Sequence, residues 1–204
     1  MDDRHRHVCR AHFTVDGARC FPQPLQGTSV AGSPHNGIPM WIAGGGERKT
    51  LRIAATYADY TNFGSGIPEQ FEHKSAVLRQ HCDDLGRDFA EITRTTNLDI
   101  VIGATERDVA DRIAWLDDHF RRAGVPDSRR ESRIAELRAS AGVGTPEQLV
   151  ERLQGLAKLG LGYLIGYFFE AAYDTSGIAL FEAEVMPELV DRREHGHLWH
   201  LGRR

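Results

Sequence analysis

From Ile38 onward, short apolar runs alternate with longer stretches of helical spacing. The run Ile38-Pro39-Met40-Trp41-Ile42-Ala43 is broken by Gly44-Gly45-Gly46, as expected of a strand buried on both faces. Residues 47–57 then place Leu51, Ala54 and Ala55 on one side of a helix, and residues 58–63 read as a second strand. Pro68 suits a first helical position, Phe71, Leu78, Cys82 and Leu85 recur at helical spacing, and Gly86 supplies the stop. Residues 92–97 are rich in threonine and form a third strand; residues 98–102 either extend it or make a separate segment. Thr105 caps a helix carrying Val109, Ile113, Leu116 and Phe120, and an insertion with its own helical piece at 132–139 follows. Thr145-Pro146-Glu147-Gln148 opens another helix, with Leu149, Leu153 and Leu156 as its buried stripe and Gly160 at its end. Residues 163–169 give a fourth strand and residues 178–190 a last helix.

Strand and helix thus alternate four times, which argues for a parallel sheet covered by helices. Four such units make either a small open sheet or half of an eight-unit barrel, and periodicity does not separate the two. Residues 1–37 lack periodicity apart from a possible last helical turn at 7–13, and they are interrupted by Pro22, Pro24, Gly27, Gly32, Pro34 and Gly37. They read as an irregular N-terminal segment, 38–191 as the folded unit and 192–204 as a polar tail.

Composition narrows the function classes. The chain has 204 residues, 41% hydrophobic and 26% charged, with a formal net charge of −4. No global field draws it to nucleic acid or to an anionic membrane. Arg121, Arg122, Arg129, Arg130 and Arg133 make a basic cluster, but Asp117, Asp118, Asp127 and Glu131 interleave with it and no aromatic platform accompanies it. Cys9, Cys20 and Cys82 are widely spaced, which suits a reducing cytoplasm rather than a disulfide framework. The polar start has no apolar run behind it, and no stretch approaches the ~20 apolar residues of a membrane span.

The segment Gly44-Gly45-Gly46-Glu47-Arg48-Lys49-Thr50 carries the strongest chemical signal. It joins a buried strand to a helix, at the strand end where α/β folds place ligands. Glycines allow close backbone approach to a phosphate, and the free N–H groups of a helix start bind the anion. The alternative reading is a plain tight turn. No Gly-Lys-Ser/Thr follows, and Lys49 stands where a dinucleotide fingerprint needs its third glycine. Elsewhere the signals are weaker. His195, His197 and His200 have metal-like spacing but no companion carboxylate or cysteine, and His5, His7 and Cys9 are weaker still, so no metal site is assigned. Asp83 and Asp84 read as a solvated helix face, and Trp41 as core rather than a stacking surface.

The segment IPMWIAGGGERKTLRIAATYADYTNF resembles the middle of the luciferase-like monooxygenases, a family of FMN- and coenzyme F420-dependent enzymes. PEQFEHKSAVLRQHCDDLGRDFAEI, VGTPEQLVERLQGLAKLGLGYLIGYF and LFEAEVMPEL are similar to segments that follow in that family, and FPQPLQ to its Pro-rich approach to the fifth strand. The resemblance implies a (β/α)8 TIM barrel of which this chain supplies units five to eight. It implies a flavin- or deazaflavin-dependent oxidoreductase or monooxygenase acting on a small organic substrate, with FMN or F420 as cofactor. It places the phosphate cradle on Gly45, Gly46, Glu47 and Thr50. Tyr60-Thr61-Asn62 departs from the family's Gly-Trp-Asn, and nothing matches the first four units. No catalytic acid or base is therefore assigned. Two expectations follow for the isolated chain. It self-associates or finds a partner for the missing half-barrel, and the alternative to an oxidoreductase is a truncated, non-catalytic relative or subunit that keeps the phosphate-binding half.

Overall fold

The alternating pattern folds into a parallel sheet with helices packed along it. The structure is a computed structural model, and it describes residues 13–15, 18–20, 39–64 and 66–189. A short hairpin comes first: β1 (Phe13–Val15) pairs antiparallel with β2 (Ala18–Cys20). The possible helical turn at 7–13 therefore ends in a strand at Phe13; the rest of it lies outside the described residues. The Asp16-Gly17 pair between the two triplets is a two-residue hairpin signal in the sequence.

The main sheet runs β3 (Trp41–Ala43), β4 (Tyr60–Asn62), β5 (Thr93–Asp99) and β8 (Leu161–Tyr167), adjacent in that order and all parallel. Trp41 stands opposite Tyr60, Tyr60 opposite Thr93, and Thr95 opposite Tyr163. This is the strand order expected from the sequence, with shorter first strands. Past β5 the chain continues into β6 (Val101–Ile102), which pairs with β7 (Val143–Gly144) in a separate parallel ladder. Residues 98–102 thus do both things the sequence allowed.

Five helices carry the connections: α1 (Thr50–Tyr57), α2 (Pro68–Leu85), α3 (Glu106–Arg122), α4 (Asp127–Ala139) and α5 (Pro146–Lys158). The start of α1 falls three residues after Glu47, because 47–49 form a turn instead. Gly86, with φ +66°, ends α2, and Gly160, with φ +93°, follows α5. At α3 the Thr105 hydroxyl accepts from Asp108 N while Asp108 Oδ2 accepts from Thr105 N, a reciprocal cap. A final helical run comprises α6 (Ser176–Leu180), a π-helical piece (Phe181–Val185) and α7 (Met186–Leu189). Pro187 lacks the N–H that would continue regular α pairing, and the wider π turn falls just before it.

Leu51, Ala54 and Ala55 of α1 meet Phe71, Leu78 and Cys82 of α2 in the main core, which continues to Leu149, Leu153 and Leu156 of α5. Fully burying a side chain such as Phe71 stabilises by roughly 1.5–3 kcal/mol. A second core joins Val109, Ile113 and Leu116 of α3 to Ile134 and Leu137 of α4 over β6 and β7. Arg87, just past the end of α2, ties the first two units together: its guanidinium donates to the carbonyls of Ala54, Ala55 and Ala58 at 3.3, 3.1 and 2.7 Å, capping the end of α1.

The opposite face of the sheet is open. Trp41 is 42% exposed, stacked on Tyr60 at 4.4 Å and met edge-on by Tyr163. This corrects the reading of Trp41 as core. Alternation along a strand sends neighbouring side chains to opposite faces, so Ile42 packs on the helices while Trp41 does not. Leu164 likewise packs against the core, so Ile42 and Leu164 belong to the covered face. Tyr163 and Tyr167 are the large side chains of β8 that stand in the open.

Four of the five arginines in the basic cluster pair with carboxylates. Arg122 reaches Asp118 at 2.8 Å, Arg130 reaches Asp127 at 3.2 Å, and Arg121, Arg130 and Arg133 pair with Asp118, Asp117 and Asp99. No helix among the described residues is long and apolar enough to cross a membrane. Cys82 is a buried free thiol, whereas Cys9, His5, His7 and the histidines 195, 197 and 200 lie outside the described residues.

Candidate functional site: the glycine turn between β3 and α1

Gly44 takes φ +115°, a conformation that side-chain-bearing residues rarely adopt, and its N–H donates to Asn62 O at 2.8 Å. This bond extends the β3–β4 pairing by one residue and then releases the chain into the turn. Leu51 N donates to Gly46 O at 3.0 Å and closes the turn onto α1. Between these two anchors, the N–H groups of Gly45, Gly46, Glu47, Arg48 and Lys49 have no acceptor among the described residues. Such a row of open donors at a helix start is what an anion requires. Helix α1 also lacks a side-chain cap and has no acidic residue in its first turn. A bound anion would supply the missing cap and favourable interaction with the helix dipole.

Access to the row depends on the glycines. A Cβ on Gly46 would stand 2.8 Å from Thr50 Oγ1, and one on Gly45 would stand 3.4 Å from Lys74 Cε. The Thr50 hydroxyl therefore lies against the open backbone of Gly46. The structure brings Gly45, Gly46 and Thr50 together as the sequence suggested.

Glu47 has a different role. Its Oε1 accepts from Lys74 Nζ at 2.6 Å and lies 3.0 Å from His73 Nε2, while its carbonyl accepts from His81 Nε2 at 2.8 Å. The hydrogen bond from Lys74, followed by that from His73, holds the Glu47 carboxyl below the usual glutamate range. Three side chains of α2 thus fix the turn from one side, and an ammonium group stands beside the glycines. Lys74, His73 and His81 are separated from Glu47 by 27, 26 and 34 residues, and no local pattern announces them. Only the packing of α1 on α2 creates the cluster. Arg48, Lys49 and Arg52 add positive charge in the same stretch of sequence.

The model of the luciferase-like monooxygenases matches residues 5–162. No curated protein matches the chain in sequence. Among solved structures, the coenzyme F420-dependent tetrahydromethanopterin reductase from Methanopyrus kandleri superposes with TM-score 0.56 at 18% identity, covering 75% of this chain and 51% of that one. An F420-dependent secondary alcohol dehydrogenase, in complex with an F420-acetone adduct, gives 0.58 at 13% identity over 91% of this chain and 59% of its own. A riboflavin lyase with modified FMN and riboflavin gives 0.58 at 14% identity over 88% and 48%. At these identities the superpositions establish the fold, and the chain spans about half the length of each relative. Its parallel β/α units match half of that barrel. On the matched sequence and the shared architecture, the chain belongs to the luciferase-like monooxygenase family.

Proposed function

We propose that this chain is the cofactor-phosphate-binding half of a flavin- or deazaflavin-dependent oxidoreductase acting on a small organic substrate. One observation carries the reading: the row of N–H donors from Gly45 to Lys49 without an acceptor among the described residues, flanked by the Thr50 hydroxyl. The phosphate of FMN or coenzyme F420 would be held by the backbone of Gly45, Gly46 and Glu47 and by Thr50. Lys74 offsets the carboxylate of Glu47, which would otherwise repel a phosphate. When bound, such a cofactor supplies hydride transfer or oxygen activation, while the protein binds and orients it. No acid or base is assigned to the reaction.

The open aromatic face of Trp41, Tyr60 and Tyr163 supports a second element of the proposal. Strands β3 and β8 each have one neighbour among the described residues, and unpaired edges beside an apolar face call for cover. Four further β/α units would close the barrel, whether from the same polypeptide, a second copy or a partner. The free, buried Cys82 is compatible with a cytoplasmic setting. The test is spectroscopic: the chain is titrated with FMN and, separately, with coenzyme F420. Binding to the turn gives a saturable change in the cofactor's visible band that inorganic phosphate reverses. Unchanged bands for both, or changes that phosphate does not touch, reject the proposal.

A further inference from the structure

We propose, resting on the phosphate site above, that His81 is a positioning residue of the glycine turn. Its imidazole sets the Glu47–Arg48 peptide so that the Arg48 N–H faces the bound phosphate.

The turn does not set this peptide by itself. A regular helix would send the Leu51 N–H to the Glu47 carbonyl, four residues back. Here Leu51 N donates instead to Gly46 O at 3.0 Å, so the Gly46–Glu47 peptide is held from within the turn. The Glu47 carbonyl drops out of the helical ladder. His81 Nε2 takes it at 2.8 Å, from α2 and 34 residues further along the chain. His73 and Lys74 reach the Glu47 carboxylate, so of these three α2 side chains His81 is the one that holds the main chain.

The consequence follows from peptide geometry. In a planar trans peptide the C=O and N–H point in opposite directions, and no cis peptide occurs among the described residues. With the Glu47 oxygen turned to α2, the Arg48 N–H points away from α2, to the open side of the turn. There it has no acceptor among the described residues. If the same plane turned over, it would aim a carbonyl oxygen at the anion in place of a donor. One side-chain hydrogen bond thus decides whether this peptide attracts or repels a phosphate.

The chemistry of the ring agrees with this role. A carbonyl only accepts, so Nε2 carries the proton of the bond. Nδ1 is buried with no partner among the described residues. A buried polar atom left unsatisfied costs stability, and the bond to Glu47 is the contact that retains an imidazole here.

The test is a titration of the 15N-labelled full chain with FMN, repeated on His81→Leu and His81→Gln. Glutamine can place a side-chain N–H where Nε2 stands, whereas leucine has no donor. In the parent, the Arg48 amide resonance should move together with those of Gly45 and Gly46. In His81→Leu the glycine amides should still respond while the Arg48 response is lost. Its Kd should rise about tenfold or more, the loss of one charge-assisted hydrogen bond, and His81→Gln should restore the Arg48 response and stay within about threefold of the parent. A merely structural His81 would lower the urea midpoint of the leucine variant without singling out Arg48. An Arg48 amide that stays still in the parent while Gly45 and Gly46 respond overturns the proposal with no variant needed, so the test stands even if His81→Leu unfolds. Parent-like binding in a folded His81→Leu variant, or an equal loss in both variants, overturns it as well. If no amide from Gly45 to Lys49 responds in the parent, the phosphate site itself is refuted and the role of His81 falls with it.

Discussion

Alanine at position 46 separates a glycine that binds from a glycine that merely turns. The new Cβ would stand 2.8 Å from Thr50 Oγ1, closer than real contacts allow. The obstacle is the end of a half-buried, rotatable side chain, so Thr50 swings aside and the backbone stays. Gly→Ala at a compatible backbone position adds about 0.4–1 kcal/mol through the unfolded state, which offsets the cost of that rotation. The denaturation midpoint should therefore barely move. Binding should suffer, because the Thr50 hydroxyl leaves the site. One charge-assisted hydrogen bond is worth about 1.5–3 kcal/mol, or roughly 10- to 150-fold in Kd. Thr50→Ala deletes the same hydroxyl and should cost about as much. With no hydroxyl left to displace, Gly46→Ala should cost little more in the Thr50→Ala background, a coupling that a double-mutant cycle reads directly. Gly46→Val, whose branch also covers the N–H row, should be worse than any of these. The assay is quenching of FMN fluorescence on titration with each variant. Strictly additive losses, or unchanged affinity in all four variants, would refute the reasoning.

Contacts at the two ends of α1 give two further predictions. Arg87→Gln removes a guanidinium that caps three carbonyls of α1, and its side chain is only 10% exposed. It should destabilise the fold by about 2–4 kcal/mol, seen as a lower urea midpoint with unchanged slope. Glu47 has a lowered pKa, so its hold on Lys74 is present above the usual glutamate value and lost as pH falls through the lowered folded value. Its carboxyl carbon should titrate by NMR below the normal glutamate midpoint, returning toward normal in Lys74→Met; a normal midpoint in the parent protein would contradict the contact.

Much of this architecture was legible because local signals and tertiary packing agree. Pro68 and Gly86 bracket α2 at its observed ends, and Thr105 caps α3 as expected. The four parallel strands follow from apolar runs separated by helical spacing. What was missed depends on long-range geometry. Trp41 sits in an apolar run, and its exposure is decided by whether anything covers that face of the sheet, which a run of letters does not encode. The strand–glycine–helix order that holds Gly45, Gly46 and Thr50 was readable in the sequence. The clamp of Lys74, His73 and His81 on Glu47 was not, because it arises only once α2 packs beside the turn. The ion pair of Arg112 with Glu170 was equally hidden: the two stand 58 residues apart.

The glycine turn is proposed to bind a cofactor through its phosphate. The most direct measurement is a 31P NMR titration of FMN with the chain, alongside competition by riboflavin, which has the same ring system and no phosphate. The FMN phosphate resonance should shift and broaden saturably, Gly46→Val should abolish the change, and excess riboflavin should not displace FMN. A phosphate resonance unmoved by the folded chain, or riboflavin competing on equal terms with FMN, would contradict it.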